Sequence, residues 1–278
     1  MCGGQAQTPI NFKHSELVRE NVEFPWFSNQ HKLNNNGCRD FNMFSDDHSW
    51  EVSFKDGSCT KLAAVWQGET YYLQQMHFHF GSEHTVGSGQ HDGEVHMVHK
   101  NLDQTKAFVI GVFLDYSPVV LSNDFLGQFY DIYYEQFVLN SQGDTWEVYL
   151  ANEVEVRNYN KMHGQTEGPS INPYNDFMPT DWDFWHYTGS LTTYPCSEGV
   201  EWFVMKQPIT VGINDIKMIG SAIHNNIHTI VPVRRDNEAS TDMVGFEYRP
   251  IQETNGRVVY SSGDTYAKPE YLKTHLRQ

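Results

Sequence analysis

Residues 75 to 99 constrain this chain more than any other stretch: Gln-Met-His-Phe-His-Phe-Gly-Ser-Glu-His-Thr-Val, a Gly-rich link, then Gly-Glu-Val-His-Met-Val-His. Successive side chains of a strand point to opposite faces. A strand from Tyr71 to Phe80 therefore puts Gln75, His77 and His79 on one side and Met76, Phe78 and Phe80 in the opposite layer. The loop from Gly81 to Gly93 is long enough to return a second strand, Glu94 to Lys100, on which Glu94, His96 and Val98 share a face. Three histidines then converge on one point.

Three neutral imidazoles without a fourth protein ligand suit a catalytic zinc, because the remaining tetrahedral position must take water or substrate. Gln75 precedes His77 by two residues and Glu94 precedes His96 by two. Each can reach the other ring nitrogen of its histidine and fix the tautomer. A lone His-x-His pair in a chain of fourteen histidines is as readily chance as a ligand pair. Three in phase, with partners, are much harder to assemble by accident.

No composition break marks a linker and no repeat appears, so residues 1–278 read as one domain. Short β-rich runs recur at Trp50 to Phe54, Thr70 to Phe80, Gly93 to His99, Ala107 to Leu114, Glu201 to Lys206 and Asn255 to Ser261. Helical signals are fewer, over Leu121 to Glu135 and Thr210 to Ile219. The spacing of the β-rich runs favours a mainly β fold built on a mostly antiparallel sheet. The stretch near 143–165 is polar and irregular and reads as a surface loop.

Acidic residues outnumber basic ones by 35 to 19, and the resulting charge of −16 opposes binding to nucleic acid or an anionic membrane. Solubility is the ordinary explanation of such a surface, and adaptation to high salt the sharper one. No apolar run approaches the roughly eighteen residues of a membrane helix. The start Met1-Cys2-Gly3-Gly4 does not read as a secretory signal peptide. Four cysteines allow three pairings, undecided by arithmetic.

The histidine block resembles the zinc site of the alpha-class carbonic anhydrases. Gln7-Thr8-Pro9-Ile10-Asn11 is similar to that family's Gln-Ser-Pro-Ile-Asn segment, and Gly189 to Cys196 to its Gly-Ser-Leu-Thr-Thr-Pro-Pro turn. The likeness runs from about Cys2 to Pro250. It implies a single alpha-carbonic anhydrase domain, mainly β with peripheral helices around a large twisted, mostly antiparallel central sheet. It also implies a surface insertion near 143–165, a C-terminal extension after about 250, and a carbonate dehydratase, a zinc lyase. The implied reaction is reversible hydration of carbon dioxide to bicarbonate and a proton by zinc-bound hydroxide. Sulfonamides and anions are the implied inhibitors, and monomer and dimer both remain open.

By the resemblance, His77, His79 and His96 hold the zinc, with Gln75 and Glu94 behind them. Thr192 and Glu83 orient the nucleophile, and His48 relays the proton. From the residues alone, Glu83 is a solvated loop residue, Thr192 a turn residue and His48 an exposed loop histidine. Val98, Val109, Leu191, Thr192, Thr193, Val200 and Trp202 line the substrate pocket by the resemblance, and ordinary core packing is their plain alternative. His84 supports Glu83.

Cys2 and Cys196 stand where secreted relatives carry a disulfide, which would add about 5 kcal/mol in the entropic account and imply an extracellular, periplasmic or cell-surface setting. Cys38 and Cys59 either pair or stay free. The family's N-terminal Trp-x-Tyr segment has no counterpart before Cys2. Phe80 and Lys100 replace tryptophan of many relatives, and Tyr194 replaces a proline.

Two other classes compete. Cupins also begin a metal motif with His-x-His and a following glutamate, which would make Glu83 a ligand for iron or manganese. Some relatives of the carbonic anhydrase fold have lost a zinc histidine and serve as binding modules; all three histidines are present here.

Overall fold

The computed structural model describes residues 2–20, 22–27, 38, 41–45, 49–54, 62–120, 122–123, 126–127, 154–155, 172–224 and 248–263. Six strands position the site: β1 (Trp50–Ser53), β2 (Glu69–Phe80), β3 (Gly93–Asn101), β4 (Ala107–Tyr116), β5 (Phe184–Ser190) and β6 (Glu198–Met205). They lie side by side in the order β1-β2-β3-β4-β6-β5 within a sheet of thirteen strands among the described residues. Every neighbouring pair of the six is antiparallel except β4 and β6. Parallel strands need a crossover, and the chain between residues 116 and 198 supplies it.

Alternation sorts the two faces. Met76, Phe78, Val95, Met97, Phe108, Ile110 and Phe203 join one apolar cluster. Helix α2 (Ile213–His224), which follows the short α1 (Pro173–Asp176), adds Ile216, Met218, Ile219 and Ile223 to that layer. The other face carries Val98, Val109, Tyr187, Val200 and Trp202, with Phe12 stacked on Trp185 at 4.5 Å. The histidines belong to this second face.

Helix α2 begins three residues later than the sequence pattern suggests. Ile209–Val211 is a strand, pairing with Leu114–Tyr116. The Asp215 carboxylate then accepts the Gly212 N–H at 2.8 Å and the Asn123 N–H at 2.6 Å, fixing the helix start in the manner of a capping box. The expected helix over Leu121 to Glu135 lies mostly outside the described residues.

The expected strand from Asn255 to Ser261 shortens to Val259–Ser261, because Asn255 and Gly256 take φ of 51° and 78° in a turn. That strand pairs with β5 through Trp185 and His186, so the chain stays in the sheet to residue 261 rather than running on as an extension after about 250. Of the expected insertion at 143–165, only Val154 and Glu155 are described, and they pair with Met43 and Asn42.

His99 faces away from the histidine cluster and shows how the core handles a titratable group. Its Nδ1–H donates to the Met97 carbonyl at 2.9 Å, and Nε2 accepts from the Tyr174 hydroxyl at 2.6 Å. Burial lowers its pKa to about 3. In the unfolded chain the ring takes a proton near pH 6.5. Its contribution to stability is therefore complete above that pH and falls by about 1.4 kcal/mol per pH unit as acid is added, until the folded ring also titrates. Denaturant unfolding between pH 4 and 6 is expected to lose about one proton of slope in His99→Gln. An unchanged slope would remove His99 from the acid response.

Candidate metal centre

β2 and β3 pair with His77 directly opposite His96 and His79 opposite Glu94. The pairing brings three ring nitrogens together. His79 Nε2 and His77 Nε2 each lie 3.2 Å from His96 Nδ1. The outer ring nitrogens of two of them are engaged by acceptors: Gln75 Oε1 lies 2.7 Å from His77 Nδ1, and Glu94 Oε1 lies 2.9 Å from His96 Nε2. An amide or carboxylate oxygen only accepts, so both outer nitrogens carry hydrogen and both inner ones present lone pairs. Burial, followed by the neighbouring His79 and His96, lowers the His77 pKa well below its ordinary value and keeps that ring neutral.

Lone pairs this close to one another suit a shared cation. Tetrahedral nitrogens on zinc at about 2.0–2.1 Å would stand about 3.3 Å apart, so this set fits the ion without rearrangement. Among the described residues a second trio of close donors, His84, Glu94 and His96, also occurs. Its atoms are committed to one another instead. Glu94 Oε1 accepts from His84 Nδ1 at 2.7 Å as well as from His96, while Oε2 accepts the His84 backbone N–H at 2.9 Å. Burial pushes the Glu94 carboxyl up, but His84 and His96 outweigh it and hold it well below the usual carboxylate range.

His84 therefore backs Glu94 rather than Glu83. Its Nε2 meets the Tyr187 hydroxyl at 2.7 Å, and that oxygen lies 3.1 Å from Thr8 Oγ1. Thr8 in turn accepts the Ser190 N–H at 2.9 Å. Gly189 leaves room for this approach, since a Cβ there would overlap Thr8 Oγ1 and crowd the Tyr187 ring. The N-terminal segment thus clamps the turn that carries Leu191, Thr192 and Thr193. Cys2 and Cys196 are joined by a disulfide across 194 residues, fastening the same two segments. Cys38 is also disulfide-bonded, and Cys59 lies outside the described residues.

Glu83 is buried with Oε2 3.4 Å from His79 Nε2. Burial pushes its carboxyl up, opposed by His96, by the Arg249 backbone N–H at 3.1 Å and by the Thr192 side chain. A cavity of about 390 Å³ opens above the histidines, lined by Val98, Val109, Leu191, Thr192, Thr193 and Trp202. Val200 is not part of that lining. It is buried with Val98, Val109 and Trp202 in the core cluster of this face. His48 lies outside the described residues.

Glu51, Gln74, Lys100 and Gln104 also line the cavity. Glu51 alternates with buried Trp50 and Val52, and its position opposite His77 depends on pairing between β1 and β2. Gln74 is the extra residue of a bulge between Leu73 and Gln75. Simple alternation had no way to find it.

A family model for the eukaryotic-type carbonic anhydrases matches residues 1–263. Human carbonic anhydrase 6 is 29% identical over 94% of this chain and 77% of its own length. Mouse carbonic anhydrase 7 is 26% identical over 93% and 89% respectively. Among solved structures, carbonic anhydrase Cah3 from Chlamydomonas reinhardtii in complex with acetazolamide superposes with a TM-score of 0.65 at 24% identity, covering 93% of this chain and 91% of that one.

Proposed function

This chain belongs to the eukaryotic-type carbonic anhydrase family, whose reaction is the reversible hydration of carbon dioxide, and from that premise we propose that His77, His79 and His96 hold the zinc the reaction requires. The observation that carries the assignment is the convergence of their inner nitrogens at 3.2 Å. When bound there, zinc supplies Lewis acidity that makes water a nucleophile near neutral pH. The cupin-like reading of Glu83 as a ligand falls with the family match, and the close donor set around His77 and His79 is the three histidines.

The chain's own residues do the rest. Gln75 and Glu94 hold the two outer ring protons and so keep the inner lone pairs inward. The Thr192 side chain acts on the Glu83 carboxylate, and a hydroxyl that donates its hydrogen bond there keeps an oxygen able only to accept. A nucleophile with one proton to donate is oriented by that oxygen, with its free lone pair toward the substrate. Val98, Val109, Leu191 and Trp202 give carbon dioxide an apolar place to sit and exclude competing water. Thr193 borders the departing bicarbonate, and His48 carries the released proton to solvent.

The Cys2–Cys196 bridge supports an oxidising, extracellular or cell-surface setting. The charge of −16 supports a surface suited to high salt. Among the described residues no helix is long and apolar enough to cross a membrane.

Metal analysis and a stopped-flow hydration assay test the proposal together. One zinc per chain, with hydration that a sulfonamide stops and that persists in rising sodium chloride, is expected. Hydration without bound zinc would overturn the ligand assignment, and early loss in salt would overturn the surface reading alone.

A further inference from the structure

The cavity has a polar outer wall that the chemistry above leaves unused. Lys100 and Gln104 line it at the end of the β3–β4 hairpin, and Lys100 is the only lysine or arginine doing so among the described residues. It shares a strand face with His96 and Val98, and its Cα stands about 13 Å further along β3 than that of His96. Gln104 takes a left-handed φ of 60° in the turn, its N–H bonded to the Asn101 carbonyl at 3.0 Å.

Among the described residues, neither the Lys100 ammonium nor the Gln104 side-chain amide meets a hydrogen-bond or ion-pair partner. Gln74 is different, because its Nε2 donates to the Tyr72 carbonyl at 3.1 Å. The carboxylate of the same wall, Glu51, stands in register with His77 on β1. Two strand spacings and four residues separate it from Lys100, about 10 Å across the sheet and about 13 Å along it, which is too far for an ion pair. A cation and two amide N–H donors, neither engaged among the described residues, thus line the rim of a cavity in an otherwise strongly acidic chain.

We propose that Lys100 and Gln104 form an anion subsite at the outer end of the cavity, taking the oxyanion of a singly charged ligand, a carboxylate or bicarbonate. The proposal rests on the reading of this cavity as the active site above His77, His79 and His96. The ammonium supplies a point charge whose field the apolar walls focus, and the Gln104 amide supplies directed hydrogen bonds. The net charge of −16 repels anions from the protein as a whole, and Lys100 sets a local cation at the outer end of the cavity.

Isothermal titration of the full-length, zinc-loaded protein with benzenesulfonamide and with 4-carboxybenzenesulfonamide tests it. The ratio of the two dissociation constants isolates the tail from the head. At low salt that ratio is expected to favour the carboxylate, and to shift against it by roughly three- to fivefold in Lys100→Gln and by more in Lys100→Glu. Gln104→Glu should move it in the same direction, while benzenesulfonamide itself stays within about twofold in every variant. An unchanged ratio with benzenesulfonamide still bound would overturn the subsite alone. Failure of benzenesulfonamide to bind the wild type would overturn the active-site reading and the subsite with it.

Discussion

His96→Ala is expected to reduce zinc from one per chain to a trace and to lower carbon dioxide hydration by at least about a thousandfold, because two imidazoles do not retain the ion against solvent. His96 is the residue whose loss is felt most widely. Its Nδ1 is 3.2 Å from both other inner nitrogens, and its Nε2 satisfies one side of a Glu94 carboxylate that has no exposure. Alanine leaves that carboxylate with His84 alone and opens a void beside Trp202, whose ring packs 4.8 Å from the imidazole. A stability loss of about 2–4 kcal/mol should accompany the loss of metal. His77→Ala separates the two effects, since His77 engages Gln75 rather than the buried carboxylate. It should lose zinc and activity with a smaller change in unfolding midpoint. Stoichiometric zinc in either variant would remove that residue from the ligand set.

The centre was legible because its chemistry rides on strand alternation. Period two alone puts His77 beside His79 and sends Met76 and Phe78 into the opposite apolar layer. Two intervals of two residues, from Gln75 to His77 and from Glu94 to His96, made the outer partners visible as well. What stayed hidden depends on register between distant segments. His84 reaches Tyr187 across 103 residues, and Thr8 reaches Ser190 across 182. No local pattern specifies either contact. The parallel junction of β4 with β6 is hidden for the same reason, since a crossover fixes it rather than a hairpin turn. Resemblance to a family placed Thr192 near Glu83, where local propensity suggested only a turn and a solvated loop. Lys100 stood out only as a replacement for the family's tryptophan and Gln104 not at all, since neither reads as a cavity residue until the sheet curls a cavity over it.

Val109→Tyr is expected to lower kcat/KM for carbon dioxide by at least about a hundredfold while leaving one zinc per chain. Val109 sits between Val98 on β3 and Trp202 on β6, both of which line the same cavity. Its own side chain is fully buried against them yet forms part of the cavity wall. A phenol ring there has the packed sheet behind it and the cavity in front, so it must project into the space above the histidines. The three histidines lie on β2 and β3, not on the strand that carries Val109. Overpacking of the wall should cost about 1–3 kcal/mol of stability, which an unfolding midpoint will register separately. Val109→Ala provides the opposite change, widening the cavity instead of filling it. It should keep zinc and lose less than about tenfold in kcat/KM, because apolar volume is removed without obstructing the approach. Wild-type turnover in the tyrosine variant would mean that carbon dioxide binds elsewhere, and the wall formed by Val98, Leu191 and Trp202 would then have to be assigned to packing alone.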